Sequence, residues 1–302
     1  MIVSVSRRTD IPALYGEWFI RRLRAGEVYQ RNPFNQRQVH KIPLSQDAVD
    51  AFVFWTKDPA PFMPLLDHLE GYPYYFHFTL TPYGREVEPA FTDKKRLLET
   101  FKALAAKIGP SRVIWRYDPI LISETYTASW HEKTFKDYAK ALNGVTDKVI
   151  VSFVDFYKKA GKALKALGAY DPPLEDKKRL IRTLKSIAKE NGMDLELCSE
   201  PFDMSREGVP PSRCIDPVRI KAAGGPELDL KKDPNQRAAC GCVISKDIGA
   251  YDTCVLGCKY CYAVKQPKRA TARFHDHDPE SPLLNDTLRG DETIYAVNLK
   301  KY

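Results

Sequence analysis

The sequence lacks any long hydrophobic run. None of its apolar segments approaches the roughly 20 residues that a membrane-spanning helix requires, so we expect no membrane association. The start of the chain also lacks the features of a signal peptide, because the basic pair Arg7-Arg8 follows only a short apolar stretch. We therefore expect a cytoplasmic protein whose seven cysteines serve as thiolates and not as disulfides.

The chain of 302 residues also has no internal repeat, no low-complexity tract and no RNA-binding signature motif. Its net charge of +8 is compatible with an anionic partner such as nucleic acid. Basic residues along one segment, such as Lys177, Lys178 and Lys185, are more typical of an ordinary solvated helix face than of a nucleic-acid interface. The substrate is therefore left open, with anionic molecules and nucleic acid among the expected classes.

Short β-branched and aromatic runs alternate with segments of helical period, which is typical of βα units and a parallel sheet. The predicted core strands cover residues 2–6, 51–55, 74–80, 113–117, 149–154 and 194–198. The predicted helices cover residues 13–25, 62–69, 93–108, 133–142 and 174–191. A hairpin of residues 28–31 and 39–42 and a last strand at 293–299 complete the prediction.

Six βα units in residues 1–200 predict an α/β fold, a full or partial (β/α) barrel. After Phe202 the regular pattern stops, and residues 201–270 are predicted to form an irregular, cysteine-rich iron–sulfur segment. Residues 271–302 are predicted to form a tail that packs on the barrel.

Three cysteines near the end of the chain carry the clearest chemical signal. Cys254, Cys258 and Cys261 have the spacing C-x3-C-x2-C, and Tyr260 directly precedes the last one. Thiolates at this spacing can converge on one metal centre, and three ligands on a 4Fe–4S cluster leave one iron open. A cluster with one open iron position indicates that the protein is an enzyme. A structural zinc site is the alternative, but it would need ligands such as His275 and His277.

This motif resembles the cluster motif of the radical S-adenosylmethionine (radical SAM) superfamily. The run Gly257-Cys-Lys-Tyr-Cys-Tyr-Ala263 is most similar to the branch that includes spore photoproduct lyase. Cys240-Gly-Cys242, the run from Ser245 to Cys254 and Ser6-Arg-Arg-Thr-Asp10 resemble a family called domain of unknown function 1848, over most of the chain. Radical SAM enzymes usually carry the three cysteines after the first barrel strand, whereas here they come last.

The radical SAM resemblance implies a six-unit partial barrel and reductive cleavage of S-adenosylmethionine to start radical chemistry on an unknown substrate. It implies an open-site 4Fe–4S cluster, a small electron donor such as ferredoxin or flavodoxin, and Tyr260 against the adenine. The family's glycine-glycine-glutamate element, which holds the methionine amine, has only a superficial counterpart at residues 224–227. Arg7 or Asp10 are the alternative holders.

Polar residues follow the predicted strands, whose carboxyl ends share the rim where such barrels place their active sites. The predicted catalytic residues are Arg7, Asp10, Lys57, Arg116, Asp118, Asp155 and Glu200. Arg8 and Tyr83 join Tyr260 as predicted cofactor-binding residues. The basic side chains suit a carboxylate or phosphate, and the acidic ones an amine, a ribose or a proton. As an alternative to a functional role, these basic and acidic side chains form ion pairs with one another in the barrel mouth.

Four further cysteines match the ligand count of a fully ligated cluster. These are Cys198, Cys214, Cys240 and Cys242. We predict that they hold a second 4Fe–4S cluster, with simple burial of some thiols, or a single cluster overall, as alternatives. For the whole protein, an iron–sulfur electron-transfer protein and a nucleic-acid-binding or repair protein with a structural metal are the alternatives to an enzyme.

Overall fold

The computed structural model describes residues 1–157 and 160–297. Its strands are β1 (Ile2–Val5), β2 (Glu27–Arg31), β3 (Gln38–Pro43), β4 (Ala51–Thr56), β5 (Tyr74–Thr79), β6 (Val113–Ile120), β7 (Lys148–Phe153), β8 (Asp194–Leu197), β9 (Lys246–Asp247) and β10 (Thr293–Ala296). Its α-helices are α1 (Ile11–Leu14), α2 (Gly16–Arg24), α3 (Lys94–Ile108), α4 (Ala128–Ala141), α5 (Gly161–Ala166), α6 (Leu174–Glu190), α7 (Pro217–Ala222) and α8 (Pro267–His275).

Seven strands form one parallel sheet in the order β8-β7-β6-β5-β4-β1-β9. From β1 the chain moves strand by strand to β8 at one edge, and β9 then returns to the opposite edge beside β1. The antiparallel pair β2–β3 forms a second sheet with β10, which lies parallel to β3.

Helices α2, α3, α4 and α6 pack on one face of the main sheet. Their apolar residues join the strand residues that face them in one buried cluster. Aromatic contacts fill this layer: the ring of Phe54 stacks on Phe76 at 4.5 Å, and Trp115 stacks on Phe135 at 4.7 Å. Because strand residues alternate between faces, this packing leaves every second strand residue to be covered from the other side.

The opposite face is covered by the segment between β8 and β9. Strand residues on this face, including Val53 and Tyr75, are buried against Cys214, Ile215 and Val243. Both faces of the sheet are therefore covered, as the continuous apolar strands predict for a buried parallel sheet.

The six core strands and the hairpin are confirmed, with ends that differ by one to three residues. The predicted helix at 13–25 is divided into α1 and α2, and 62–69 contains a 3-10 helix, Met63–Leu69. The strand at 293–299 is observed as β10, and its predicted end lies outside the described residues. Within those residues, none of the helices combines the length and apolarity that a membrane crossing needs.

Most of the chain between Phe202 and α8 is irregular, as predicted, but the sequence pattern does not indicate α7 and β9, which lie within it. Strand β9 has two residues, too few to produce a strand period in the sequence. It raises the number of parallel strands to seven. Strands β8 and β9 are the edges of the described sheet, so hydrogen bonding does not close it into a full barrel.

Asp247 fixes β9 against β1. Its carboxylate accepts hydrogen bonds from the hydroxyls of Ser4 and Ser6, both at 2.7 Å, and from the backbone N–H groups of Arg7 at 2.8 Å and Gly249 at 2.9 Å. A Cβ at Gly249 would lie 2.0 Å from the Ser6 hydroxyl oxygen, so only glycine permits this approach.

We expect Asp247→Asn to lower the free energy of unfolding by about 2 to 3 kcal/mol, because the amide group turns an N–H toward donors that then lose their acceptor. Anaerobic urea denaturation measures the change. Asp229→Asn, the same substitution at an exposed position, should shift the unfolding free energy by less than about 0.5 kcal/mol. Equal effects of the two substitutions would contradict this role for Asp247.

Candidate active site

The carboxyl ends of the parallel strands bring the predicted site residues to one edge of the sheet. Arg7 and Asp10 follow β1, Lys57 follows β4, and Cys198 follows β8 directly. The loop with Cys254, Cys258 and Cys261 follows β9 at the same edge. The predicted gathering of these segments at one rim is therefore observed.

Contacts from three directions hold the three-cysteine loop. The Tyr15 hydroxyl donates to the Thr253 carbonyl at 2.5 Å, the Lys259 N–H donates to the carbonyl of Val87 at 3.0 Å, and the Tyr262 hydroxyl donates to the carbonyl of Arg7 at 2.6 Å.

Within this loop, Gly257 has a φ of 75°, and a Cβ there would lie 2.9 Å from Cγ of Pro89. Both its backbone conformation and its neighbour therefore favour glycine.

The three thiols are partly buried beside one another, and backbone N–H groups approach two of them. All three are half-buried. Burial raises the pKa of the Cys254 thiol to about 12 and raises the pKa of Cys258 as well, with the neighbouring thiols adding to both shifts. The Ala263 N–H donates to the sulfur of Cys261 at 3.3 Å, and the N–H groups of Leu256 and Asp10 donate to Cys254. Such donors stabilise a sulfur that carries negative charge, as a bound metal–thiolate does.

Glu88 is the centre of a buried polar network beside these cysteines. The fully buried carboxylate accepts from the Lys57 ammonium at 2.6 Å, the Lys94 ammonium at 2.5 Å, the Thr81 hydroxyl at 2.6 Å and the Tyr260 hydroxyl. Burial opposes ionisation, but the two ammonium groups outweigh it and lower the pKa of Glu88 to about 2.

The Glu88 network fixes the residue that precedes the last cysteine. The Lys57 ammonium lies 5.6 Å from the centre of the Tyr260 ring. The ammonium of Lys57 and the hydroxyl of Tyr260 both donate to the Glu88 carboxylate. The predicted cofactor-binding tyrosine therefore has a set orientation.

The residues after β1 line the same edge. Asp10 accepts from the backbone N–H of Lys57 at 2.7 Å and of Ala13 at 3.0 Å, and burial raises the pKa of its carboxyl to about 6. The Arg7 guanidinium lies 5.6 Å from the centre of the Trp55 ring. Arg8 lies 5.0 Å from the ring centre of Tyr251.

Arg116 and Asp118 pair with each other, which is the structural alternative that the sequence left open. Asp118 also accepts from the Ser152 hydroxyl. Asp155 pairs instead with Arg237 at 2.5 Å, and both of these side chains are about half exposed.

Glu200 accepts from the Phe153 N–H at 2.7 Å, and burial raises the pKa of its carboxyl to about 7. Tyr83 is fully buried, and its hydroxyl donates to the carbonyl of Pro119 and accepts from the N–H of Leu121, both at 2.7 Å. Its ring centre lies 6.4 Å from that of Tyr260, and the two rings meet edge to face.

The run Gly224-Gly-Pro-Glu227 does not lie beside the cysteine loop. A Cβ on Gly225 would lie 3.2 Å from Cβ of Pro73, the residue directly before β5. This is the amino end of the strand and hence the edge opposite to the cysteine loop. The superficial likeness to a methionine-binding element is therefore not matched by position.

The other four cysteines also gather. The sulfur atoms of Cys198 and Cys214 are 3.6 Å apart, and the Arg116 guanidinium donates to Cys214 at 2.9 Å. Hydrogen bonds from the thiols of Cys198 and Cys242, helped by Arg116, lower the pKa of Cys214 well below its ordinary value.

Neither group of thiols in the described part of the chain has its side chains arranged to bind a single metal ion. Within residues 1–157 and 160–297, no three His, Cys, Asp or Glu side chains converge on one point as ligands of one metal ion do. His275 is exposed, and the ring of His277 packs against Tyr15 at 4.8 Å. The zinc set suggested by the sequence is therefore not assembled in this part of the chain.

Sequence reasoning missed Glu88 and Lys94. Glu88 lies in a loop without a motif, and it meets Lys57, Lys94 and Tyr260 only through the fold. No local signal in the sequence distinguishes it from other acidic residues.

Comparison with protein families gives one match. The model of "Domain of unknown function (DUF1848)" matches residues 2–263. The chain belongs to the DUF1848 family. No curated protein and no solved structure matches the chain. The matched region of this DUF1848 protein contains both groups of cysteines and the Glu88 network, and it ends two residues after Cys261.

We expect Glu88→Gln to lower the free energy of unfolding by about 2 to 4 kcal/mol at pH 7, because two buried ammonium groups lose their counter-charge. The pKa of Glu88 is lower in the folded state than its ordinary value of 4.5. The contribution is therefore complete above pH 4.5 and is lost as the pH falls toward 2.

Urea titrations of both proteins between pH 7 and pH 3 measure this difference. Glu99→Gln removes the partner of Lys102 in an exposed ion pair and should cost less than about 1 kcal/mol at any pH. A pH-independent difference between wild type and Glu88→Gln would contradict the assignment.

Proposed function

We propose that this DUF1848 protein is a radical SAM-like enzyme. In this proposal Cys254, Cys258 and Cys261 hold a 4Fe–4S cluster whose open iron binds S-adenosylmethionine. The observation that carries the proposal is the place of β9 in the sheet, next to β1.

Counted across the sheet from β9 to β8, the three-cysteine loop follows the first strand, and α8 follows the loop. This is the spatial position that the radical SAM resemblance requires. The late position of the cysteines in the sequence then reflects a permuted order of βα units. A permuted partial barrel is the architecture that we infer from this order.

The surroundings of the thiols fit such a cluster. Backbone N–H groups approach the half-buried sulfurs of Cys254 and Cys261, and the Lys57 ammonium adds positive charge close to Cys258. When bound, the cluster and S-adenosylmethionine supply one electron and a 5′-deoxyadenosyl radical that takes a hydrogen atom from substrate.

The protein's own residues then bind and orient. Asp10, the residue that caps α1 after β1, offers a carboxylate for the amine of the methionine part, and Arg8 offers a guanidinium for its carboxylate. Tyr260, held by Glu88, presents its ring at the loop where the resemblance places the adenine. Glu200 is left for the substrate side of the rim, because Arg116 pairs with Asp118 and Asp155 pairs with Arg237.

The nucleic-acid alternative gains no support from the basic helix α6. Lys177 pairs with Asp171 at 2.5 Å, and Lys178 pairs with Glu175 at 3.2 Å. A small electron donor of the ferredoxin or flavodoxin type is the partner that the proposal requires.

Anaerobic reconstitution with iron and sulfide, followed by reduction with S-adenosylmethionine present, tests the proposal. We expect 5′-deoxyadenosine by mass spectrometry from wild type and none from Cys258→Ala, because the latter lacks one of three cluster ligands. A reduced cluster that yields no 5′-deoxyadenosine would favour the electron-transfer alternative, and zinc without iron would overturn both.

A matched pair of glycine variants tests the loop. Gly257→Ala and Gly144→Ala both place alanine at a φ near 75°, but only Gly257 has a neighbour, Pro89, that a Cβ would meet. Both variants should lose about 1 kcal/mol of stability from backbone strain. Only Gly257→Ala should also lower bound iron and 5′-deoxyadenosine. Equal iron in the two variants would contradict this role of the loop.

A further inference from the structure

Four cysteines outside the three-cysteine loop are brought together from distant parts of the chain. Cys198 lies at the end of β8, and Cys214, Cys240 and Cys242 lie in the segment that covers the sheet. Cys198 and Cys214 are in contact at 3.6 Å. Cys214, Cys240 and Cys242 belong to one buried cluster against which Cys198 packs, so the four cysteines form one group, the four-thiol group.

This group is buried and contacts a guanidinium. Cys214, Cys240 and Cys242 are at most 9% exposed. The Arg116 guanidinium donates to Cys214 at 2.9 Å and to Cys198 at 3.7 Å, and the Ile215 N–H donates to Cys242 at 3.5 Å. Buried thiols of a purely structural kind do not need a guanidinium, whereas metal-bound thiolates require such donors and counter-charges.

The backbone at Cys214 is fixed from the sheet. Its carbonyl accepts from the Tyr75 hydroxyl and from the Nε2–H of His77, both at 2.7 Å. His77 is fully buried, and its Nδ1 atom has no hydrogen-bond partner among the described residues. Burying polar side chains such as these on the sheet face costs free energy of folding. Here they position one cysteine of the four-thiol group.

We infer that the four-thiol group binds a second, fully ligated 4Fe–4S cluster. Four thiolates satisfy the four irons, so this cluster has no open position, in contrast to the first. A single ion would need ligands around one point, which these side chains do not form. The cluster would tie the end of β8 to the segment 214–243 and so hold that segment on the sheet. The inference does not rest on the proposed function.

Metal analysis of the full chain after anaerobic reconstitution tests this inference. The triple variant Cys254→Ala, Cys258→Ala, Cys261→Ala removes the first site and leaves the four-thiol group intact. We expect about eight irons per wild-type chain and about four in the triple variant. The remaining cluster should give a reduced electron paramagnetic resonance signal that S-adenosylmethionine does not change.

Adding Cys198→Ser to the triple variant should then remove or convert that signal. Cys198 is half-buried at a strand end, which makes it the most tolerant of the four positions. A circular-dichroism melt shows whether this variant folds. If it does not fold, Arg116→Gln in the triple-variant background should shift the reduction potential of the remaining cluster, because a donor to Cys214 is lost.

No iron in the triple variant would overturn the inference, as would about one zinc per chain or a disulfide found by thiol counting. Failure of the proposed function looks different. In that case the triple variant keeps its four irons, while the wild-type protein with both clusters yields no 5′-deoxyadenosine.

Discussion

The carboxylate of Asp247 is the contact on which the arrangement of this protein depends. By accepting four hydrogen bonds it holds a two-residue strand, β9, against the first strand of the chain. Without these hydrogen bonds, the pairing of only two β9 residues with β1 would contribute little stability. The loop with Cys254, Cys258 and Cys261 follows β9 directly, so the same contact sets the position of the proposed cluster above the rim.

A second buried carboxylate, Glu88, holds separate segments of the rim together. It joins Lys57 after β4, Lys94 at the start of α3 and Tyr260 in the three-cysteine loop. Arg7 joins the three-cysteine loop to the segment before β9, because its carbonyl accepts from the Tyr262 hydroxyl and its guanidinium donates to the Ser245 hydroxyl at 3.2 Å. The rim is thus held together by charges that are balanced within the protein.

The sequence predicts those parts of the fold that repeat over many residues. Helix α6 and strand β4 are recognisable from their periods, and the three-cysteine motif from its spacing. Strand β9 could not be predicted, since it exists only through its pairing with β1 and the bonds of Asp247. Glu88 could not be predicted either, because its partners come from three separate segments. The sequence groups the four remaining cysteines by number alone, and the structure adds Arg116 as a donor to two of them, Cys198 and Cys214.

The central claim is that the three-cysteine loop presents an iron with an open position to S-adenosylmethionine. Electron–nuclear double resonance on the reduced protein, with S-adenosylmethionine labelled with 15N in its amine and 17O in its carboxylate, tests this directly. The account predicts hyperfine coupling from both labels to the cluster, which Cys258→Ala abolishes. A well-formed reduced cluster without coupling to either label would contradict it.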